Sequence, residues 1–213
     1  MAAGSISLEE FRELALKLAE VSAKLNDSWR VTQAPSSPGD VYLEKTSVML
    51  ERTPRCFETE AEDPRTEVDD VELEDPEEDP GCMQSPPASA SYLTYQFHVV
   101  YSHSYAVPVL YFNVFRPDGQ RVKLEELWAM VPSEYQARMQ EHKWATLTQQ
   151  EHPLLGCPYF MLHPCHTATL MSQVPNVQDK RYYLIKWLSS VGPVVGLEML
   201  PAYATAFDGG EVT

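Results

Sequence analysis

Apolar residues recur at helical spacing near the start of the chain. Leu8, Phe11, Leu14, Leu18, Val21 and Leu25 fall on one face, with charged residues opposite, the pattern of an amphipathic helix laid on a core. Ser7 and Glu10 form a capping box at its start, and Ile6 and Phe11 are spaced to staple across the entry. Asn26-Asp27-Ser28 ends it. The period then shortens to two. Residues 29–32 and 41–50 read as strands, separated by the turn-rich Pro35-Ser36-Ser37-Pro38-Gly39-Asp40. Leu93, Tyr95, Phe97, Val99 and Tyr101 alternate with Thr94, Gln96, His98 and Val100 in a third strand. A fourth, 107–115, is apolar on both faces apart from Asn113, which predicts a central place in the sheet. Pro108 predicts a bulge or an edge near its start, and Pro117-Asp118-Gly119 closes it with a turn.

Residues 123–131 and 133–142 read as two short helices broken at Pro132, and 181–191 as a helix stopped by Gly192-Pro193. One helix, a group of meandering strands and then helices give an α+β fold class rather than an alternating one.

Charge changes this picture at one place. The chain carries −15 overall, yet thirteen acidic residues and one basic residue, Arg65, lie within residues 58–80. The expected organisation is therefore a single domain in two pieces. Residues 1–57 supply the helix and first strands, 58–91 form an acidic, disordered insertion, and 92–213 supply the remainder. A near-neutral body with an acidic segment repels phosphates, so no nucleic acid partner is expected. The first ten residues lack the basic and apolar stretches of a secretory leader, and no apolar run reaches the ~18 residues of a membrane span. A cytoplasmic protein, not an integral membrane protein, is expected. On that basis Cys56, Cys82, Cys157 and Cys165 read as reduced thiols.

Candidate chemistry concentrates in residues 148–167, where three prolines, three histidines and two cysteines fall in twenty residues. This density predicts a rigid irregular loop, the kind of segment on which domains mount chemistry. Three readings stay open on spacing alone. Cys165 could be a nucleophile with His163 and His166 beside it. Cys157, His163, Cys165 and His166 could bind zinc. Or Cys165 could be a buried thiol with its histidines satisfied by backbone.

The tract from Gln149 through His163-Pro164-Cys165-His166-Thr167 resembles the autophagy family of ubiquitin-conjugating-like enzymes. Trp187-Leu188-Ser189-Ser190-Val191-Gly192-Pro193-Val194-Val195-Gly196-Leu197 carries the same resemblance. So do Tyr101-Ser102-His103-Ser104-Tyr105 and Val107-Pro108-Val109-Leu110-Tyr111-Phe112, and the likeness spans about residues 92–200. It implies a ubiquitin-conjugating-enzyme-like fold and Cys165 as a thioester-forming nucleophile, with no metal or organic cofactor. It also implies partners: an E1-like activating enzyme (autophagy-related protein 7), the ubiquitin-like autophagy-related protein 12, and the acceptor lysine of autophagy-related protein 5 during autophagosome formation. The related enzyme that conjugates a ubiquitin-like protein to lipid shares the His-Pro-Cys motif and is the alternative within the family. A catalytically silent module of the same fold, or a zinc-stabilised scaffold, is the alternative outside it.

The chain departs from ordinary ubiquitin-conjugating enzymes in lacking His-Pro-Asn upstream of the cysteine. Asn113 and His163 are the candidates, on chemical type, to support the oxyanion. His163 and Pro164 read equally as residues that shape the loop, and residues 191–197 as packing behind the active site.

Overall fold

The computed structural model describes residues 4–35, 37–51, 92–140, 147–174 and 179–207. The acidic segment predicted at 58–91 lies outside the described residues. Helix α1 spans Leu8–Lys24, with both halves of the capping box in place. The Ser7 N–H donates to Glu10 Oε2 (2.7 Å), and the Glu10 N–H donates to Ser7 Oγ (3.1 Å). Ile6 and Phe11 are both fully buried in one cluster, as a hydrophobic staple requires. Asn26 takes a positive φ of 53° and turns the chain out of the helix.

Six strands follow: β1 (Arg30–Ala34), β2 (Ser37–Leu50), β3 (Tyr92–Ser102), β4 (Val107–Phe115), β5 (Leu147–Glu151) and β6 (Pro158–Leu162). They form one antiparallel sheet in the order β1-β2-β3-β4-β6-β5. The short helices α2 (Leu124–Met130) and α3 (Ser133–Gln140) carry the chain from β4 to β5. Three further helices follow among the described residues: α4 (Thr167–Gln173), α5 (Tyr183–Val191) and α6 (Ala202–Ala206). The α+β class with a leading helix, an antiparallel sheet and C-terminal helices is what the sequence predicts.

Three details differ. The sheet is not a simple meander, because β6 takes the place beside β4 and β5 lies outside it. The stretch predicted as a turn between β1 and β2 is largely strand. The register jumps from Gln33↔Val41 to Ala34↔Ser37, so residues 38–40 bulge out where the sequence signals a turn.

The third difference concerns chemistry. Residues 148–167 are not an irregular loop but a β-hairpin leading into a helix. Its prolines sit where each is tolerated. Pro153 lies in the turn, Pro158 opens β6, and Pro164 opens a 3-10 turn. Between them Tyr159, Phe160 and Met161 pair with β5, and Phe160 and Met161 pair with β4 as well. The proline density marks three element boundaries and not one irregular loop.

One sheet face packs on α1 and α5 through Phe97, Leu110, Phe112, Val114, Phe160, Trp187 and Leu188. The other carries a smaller cluster of Tyr42, Val100, Val109, Tyr111, Tyr159 and Met161, covered by Leu154 and Leu155 of the hairpin turn. β4 is central, as predicted. Its pairing with β6 begins only at Tyr111, which leaves Pro108 without a partner strand on its β6 side, and its register with β3 is continuous there. Of the two predictions for Pro108, the edge is the one observed.

Candidate functional site

Cys165 is exposed and stands in the middle of the 3-10 turn Pro164–His166, between the end of β6 and the start of α4. Pro164 is buried and anchors the turn, while Thr167 is buried at its other end. The exposed thiol is thus presented on a short turn with a buried residue on each side. His163 caps that turn. Its Nδ1 accepts the Cys165 N–H at 3.2 Å, and its ring meets Tyr105 edge-on at 5.6 Å. With Nδ1 accepting, a neutral ring carries its proton on Nε2. The predicted loop-shaping role of His163 has a geometry here, and Tyr105, in the turn between β3 and β4, supports it.

Asn113 is not brought to this place. It lies on β4 toward Pro158, whose carbonyl accepts from its Nδ2 (3.3 Å). Pro158 and Leu162 are the two ends of β6, so at ~3.3 Å per residue Asn113 is roughly 13 Å or more from the Cys165 turn. Its Oδ1 is buried without a hydrogen-bond partner. Cys157 stands at the same far end, just before β6, so the zinc set of Cys157 with His163, Cys165 and His166 is split by the length of that strand. Among the described residues no group of three or more His, Cys, Asp or Glu side chains is arranged to hold a metal. The reading of Cys165 as buried is also overturned, since the thiol is exposed.

Val194–Leu197 line a cavity of about 400 Å³ with Met49, Tyr95, Phe112 and Leu147. Leu147 pairs with Leu162, three residues before Cys165, so one wall of the cavity reaches the strand end that carries the Cys165 turn. Met49, paired with Leu93, extends the cavity toward the far end of β3.

The hairpin turn is held by a histidine pair that sequence reasoning missed. His152 is fully buried, and its Nε2 lies 3.2 Å from Nδ1 of buried His98. Tyr42, Tyr111 and Tyr159 surround the two rings. Burial lowers both histidines from their ordinary value to about 4, and each is a neutral ring at neutral pH. His98 alternates with Phe97 and Val99 onto the face of Gln96 and Val100, so its burial comes from the tertiary contact with the hairpin and carries no local signal in the strand pattern.

Among the described residues no helix is long and apolar enough to cross a membrane.

The sequence and fold are matched by known proteins. The family model described as autophagocytosis associated protein, active-site domain, matches residues 10–201. The human ubiquitin-like-conjugating enzyme ATG10 is 44% identical over 123 residues, covering 56% of this chain and 56% of its own length. The enzyme of the same name from Arabidopsis thaliana is 43% identical over 112 residues, covering 49% of this chain and 50% of its own. The chain thus spans about half the length of the curated relatives it matches. A crystal structure of the autophagic E2 Atg10 superposes with a TM-score of 0.50 at 13% identity, covering 91% of this chain and 99% of that one, and supports the fold.

Proposed function

The chain belongs to the family of autophagocytosis associated proteins with the active-site domain, and on that premise we propose that it is a cytoplasmic E2-like conjugating enzyme working through a thioester on Cys165. The Cys165 thiolate attacks the C-terminal glycine thioester that an E1-like activating enzyme, autophagy-related protein 7, presents on the ubiquitin-like autophagy-related protein 12. A new thioester forms, and the activating enzyme's thiolate leaves. A lysine amine of autophagy-related protein 5 then attacks the same carbonyl. Its nitrogen loses a proton, Cys165 leaves as thiolate, and an isopeptide bond remains.

The observation that carries this reading is the exposed thiol on a capped turn. A carrier must leave its thiol open to the C-terminal tail of a protein-sized modifier and must hold the carbonyl still while the amine arrives. The relatives' shared name supports a ubiquitin-like cargo, and the pairing with autophagy-related proteins 12 and 5 follows from the resemblance of the motifs around Cys165. Asn113 is too far along β6 to supply an oxyanion donor. His163, whose Nε2 holds the proton, is the nearer candidate.

The test is a charging assay with the activating enzyme, the modifier and ATP. A reducible adduct that forms on wild type and Cys157→Ser but not on Cys165→Ser establishes the carrier. An adduct retained by Cys165→Ser overturns it, and no adduct on wild type favours a catalytically silent module of the same fold.

A further inference from the structure

Residues 4–6, ahead of α1, grip both sides of the Cys165 turn. On one side the Ile6 N–H donates to the Ala106 carbonyl at 3.0 Å. Ala106, at a φ of 51°, follows Tyr105, whose ring meets the His163 imidazole, which in turn accepts the Cys165 N–H. On the other side Gly4, at a φ of 87°, lies directly on α4. A Cβ there would stand 2.0 Å from the Ala168 carbonyl oxygen and 2.8 Å from the Ser172 nitrogen. Both the left-handed backbone and the missing side chain are therefore needed. Two phenols fasten the segment. Tyr183 donates to the Gly4 carbonyl at 2.6 Å, and Tyr101 donates to the Ile6 carbonyl at 2.9 Å.

We propose that residues 4–6 are a positioning strap for transfer from Cys165, with Gly4 setting the distance at which α4 sits. The inference rests on the reading of Cys165 as the thioester carrier. A 3-10 turn of three residues has poor hydrogen-bond geometry of its own and takes its position from what flanks it. Here one flank is His163 and the other is α4, whose second residue is Ala168. The strap holds both. Ser5 and Ile6 are buried, so the strap acts through α4 and the β3–β4 turn rather than on substrate. Relieving the contact that any side chain at position 4 makes with Ala168 requires movement of about 1 Å, and a misplacement of that size costs on the order of 100-fold in a positioned reaction.

The test uses the full chain and compares Gly4→Ala with Gly119→Ala. Gly119 also has a positive φ, 82°, but open space around its Cα, so that variant reports backbone strain without a displaced helix. Thioester-charged enzyme is chased with free lysine at several concentrations, and melting temperatures are recorded in parallel. Gly4→Ala is expected to lower the maximal discharge rate about tenfold or more, with the lysine KM within about twofold. Gly119→Ala discharges at the wild-type rate even where it melts earlier. Tyr183→Phe removes one bond to the strap and lowers discharge by a smaller factor, and it decides the matter if Gly4→Ala does not fold.

Alkylation of Cys165, followed by mass spectrometry of its peptide, needs no modifier. It is expected to change by about threefold or more in Gly4→Ala, or in Tyr183→Phe if Gly4→Ala does not fold, and not in Gly119→Ala. Wild-type discharge in both Gly4→Ala and Tyr183→Phe overturns the strap. If wild type never charges, the thioester reading fails, and alkylation alone then decides the strap: a changed rate keeps it and an unchanged rate removes it.

Discussion

His98 and His152 stand 54 residues apart in sequence and 3.2 Å apart in the fold, Nδ1 to Nε2, with their ring planes at 90°. The protons in this pair can be followed. The Leu154 N–H donates to His152 Nδ1 (3.3 Å), so the His152 proton is on Nε2 and is given to His98 Nδ1. His98 then carries its own proton on Nε2, directed toward Glu44, whose Oε2 is 3.9 Å away. The chain of donors ties the hairpin turn to β3 and β2, and it works only while both rings are neutral.

Stability should therefore fall as the solution is acidified. Burial holds both rings at about 4 in the fold, against about 6.5 unfolded. The unfolded chain binds protons first, so the contribution is complete above pH 6.5 and is lost as pH drops from there toward 4. One suppressed proton is worth on the order of 3 kcal/mol across that window. Glu44 modulates this, since its carboxylate favours the charged form of His98. Tyr42, Tyr111 and Tyr159 also face the pair and stay protonated throughout the window. Urea midpoints measured from pH 7 to pH 5 should decline in wild type and decline about half as much in His98→Gln, in which buried His152 still titrates. Equal slopes in the two proteins would show that the pair is not the titrating element.

The sequence made α1 and its cap legible because a capping box and a 3.6-residue period are local signals, carried by Ser7, Glu10 and the Phe11 face. It made β3 and β4 legible because alternation and a two-faced apolar run are local too. The hairpin β5–β6 was hidden for the opposite reason. Thr148, Gln149, Gln150 and Glu151 are polar, and their strand exists because residues 158–161 pair with them across a six-residue turn. The site shows the same division. Cys165 and His163 share a tripeptide and were visible together, while Tyr105 and Gly4 reach the site by tertiary contact alone.

Lys45 and Asp27 form an ion pair with both side chains only 9% exposed. The Asp27 carboxylate also accepts from the Tyr203 hydroxyl (2.7 Å) and the Ser28 N–H (2.8 Å). Burial opposes its charge, but the Lys45 and Tyr203 bonds outweigh that and hold its carboxyl below the usual range. Removing one partner leaves the other charge buried, so Lys45→Met should cost about 3 kcal/mol or more, measured by urea unfolding at pH 7. The double variant Lys45→Met, Asp27→Leu should recover part of that loss. If Lys45→Met alone is neutral, Asp27 is satisfied by its other donors.

Asn113 offers the converse case, a buried polar group with little to lose. Its Nδ2 bond to the Pro158 carbonyl is long at 3.3 Å, and that carbonyl also accepts from Arg121 (2.9 Å). Its Oδ1 already lacks a partner. Asn113→Leu should change stability by no more than about 1 kcal/mol. It should leave thioester discharge within about twofold of wild type, because β6 separates it from Cys165. A tenfold loss of discharge with an unchanged melting temperature would bring Asn113 back as an oxyanion donor.

His163 divides the two roles proposed for it. Its Nδ1 accepts the Cys165 N–H, as an N-cap side chain does, and its Nε2–H is free to donate. His163→Ala removes both, and should lower stability by about 1 kcal/mol and slow discharge to lysine about tenfold. His163→Asp keeps an acceptor for the Cys165 N–H and supplies no donor. His163→Asn keeps the acceptor and also brings amide hydrogens. If the ring only shapes the turn, both variants discharge at close to the wild-type rate. If its proton also steadies the oxyanion, His163→Asn recovers activity while His163→Asp regains stability and stays slow. The pair of rates, taken with the two melting temperatures, separates a cap from a catalytic donor.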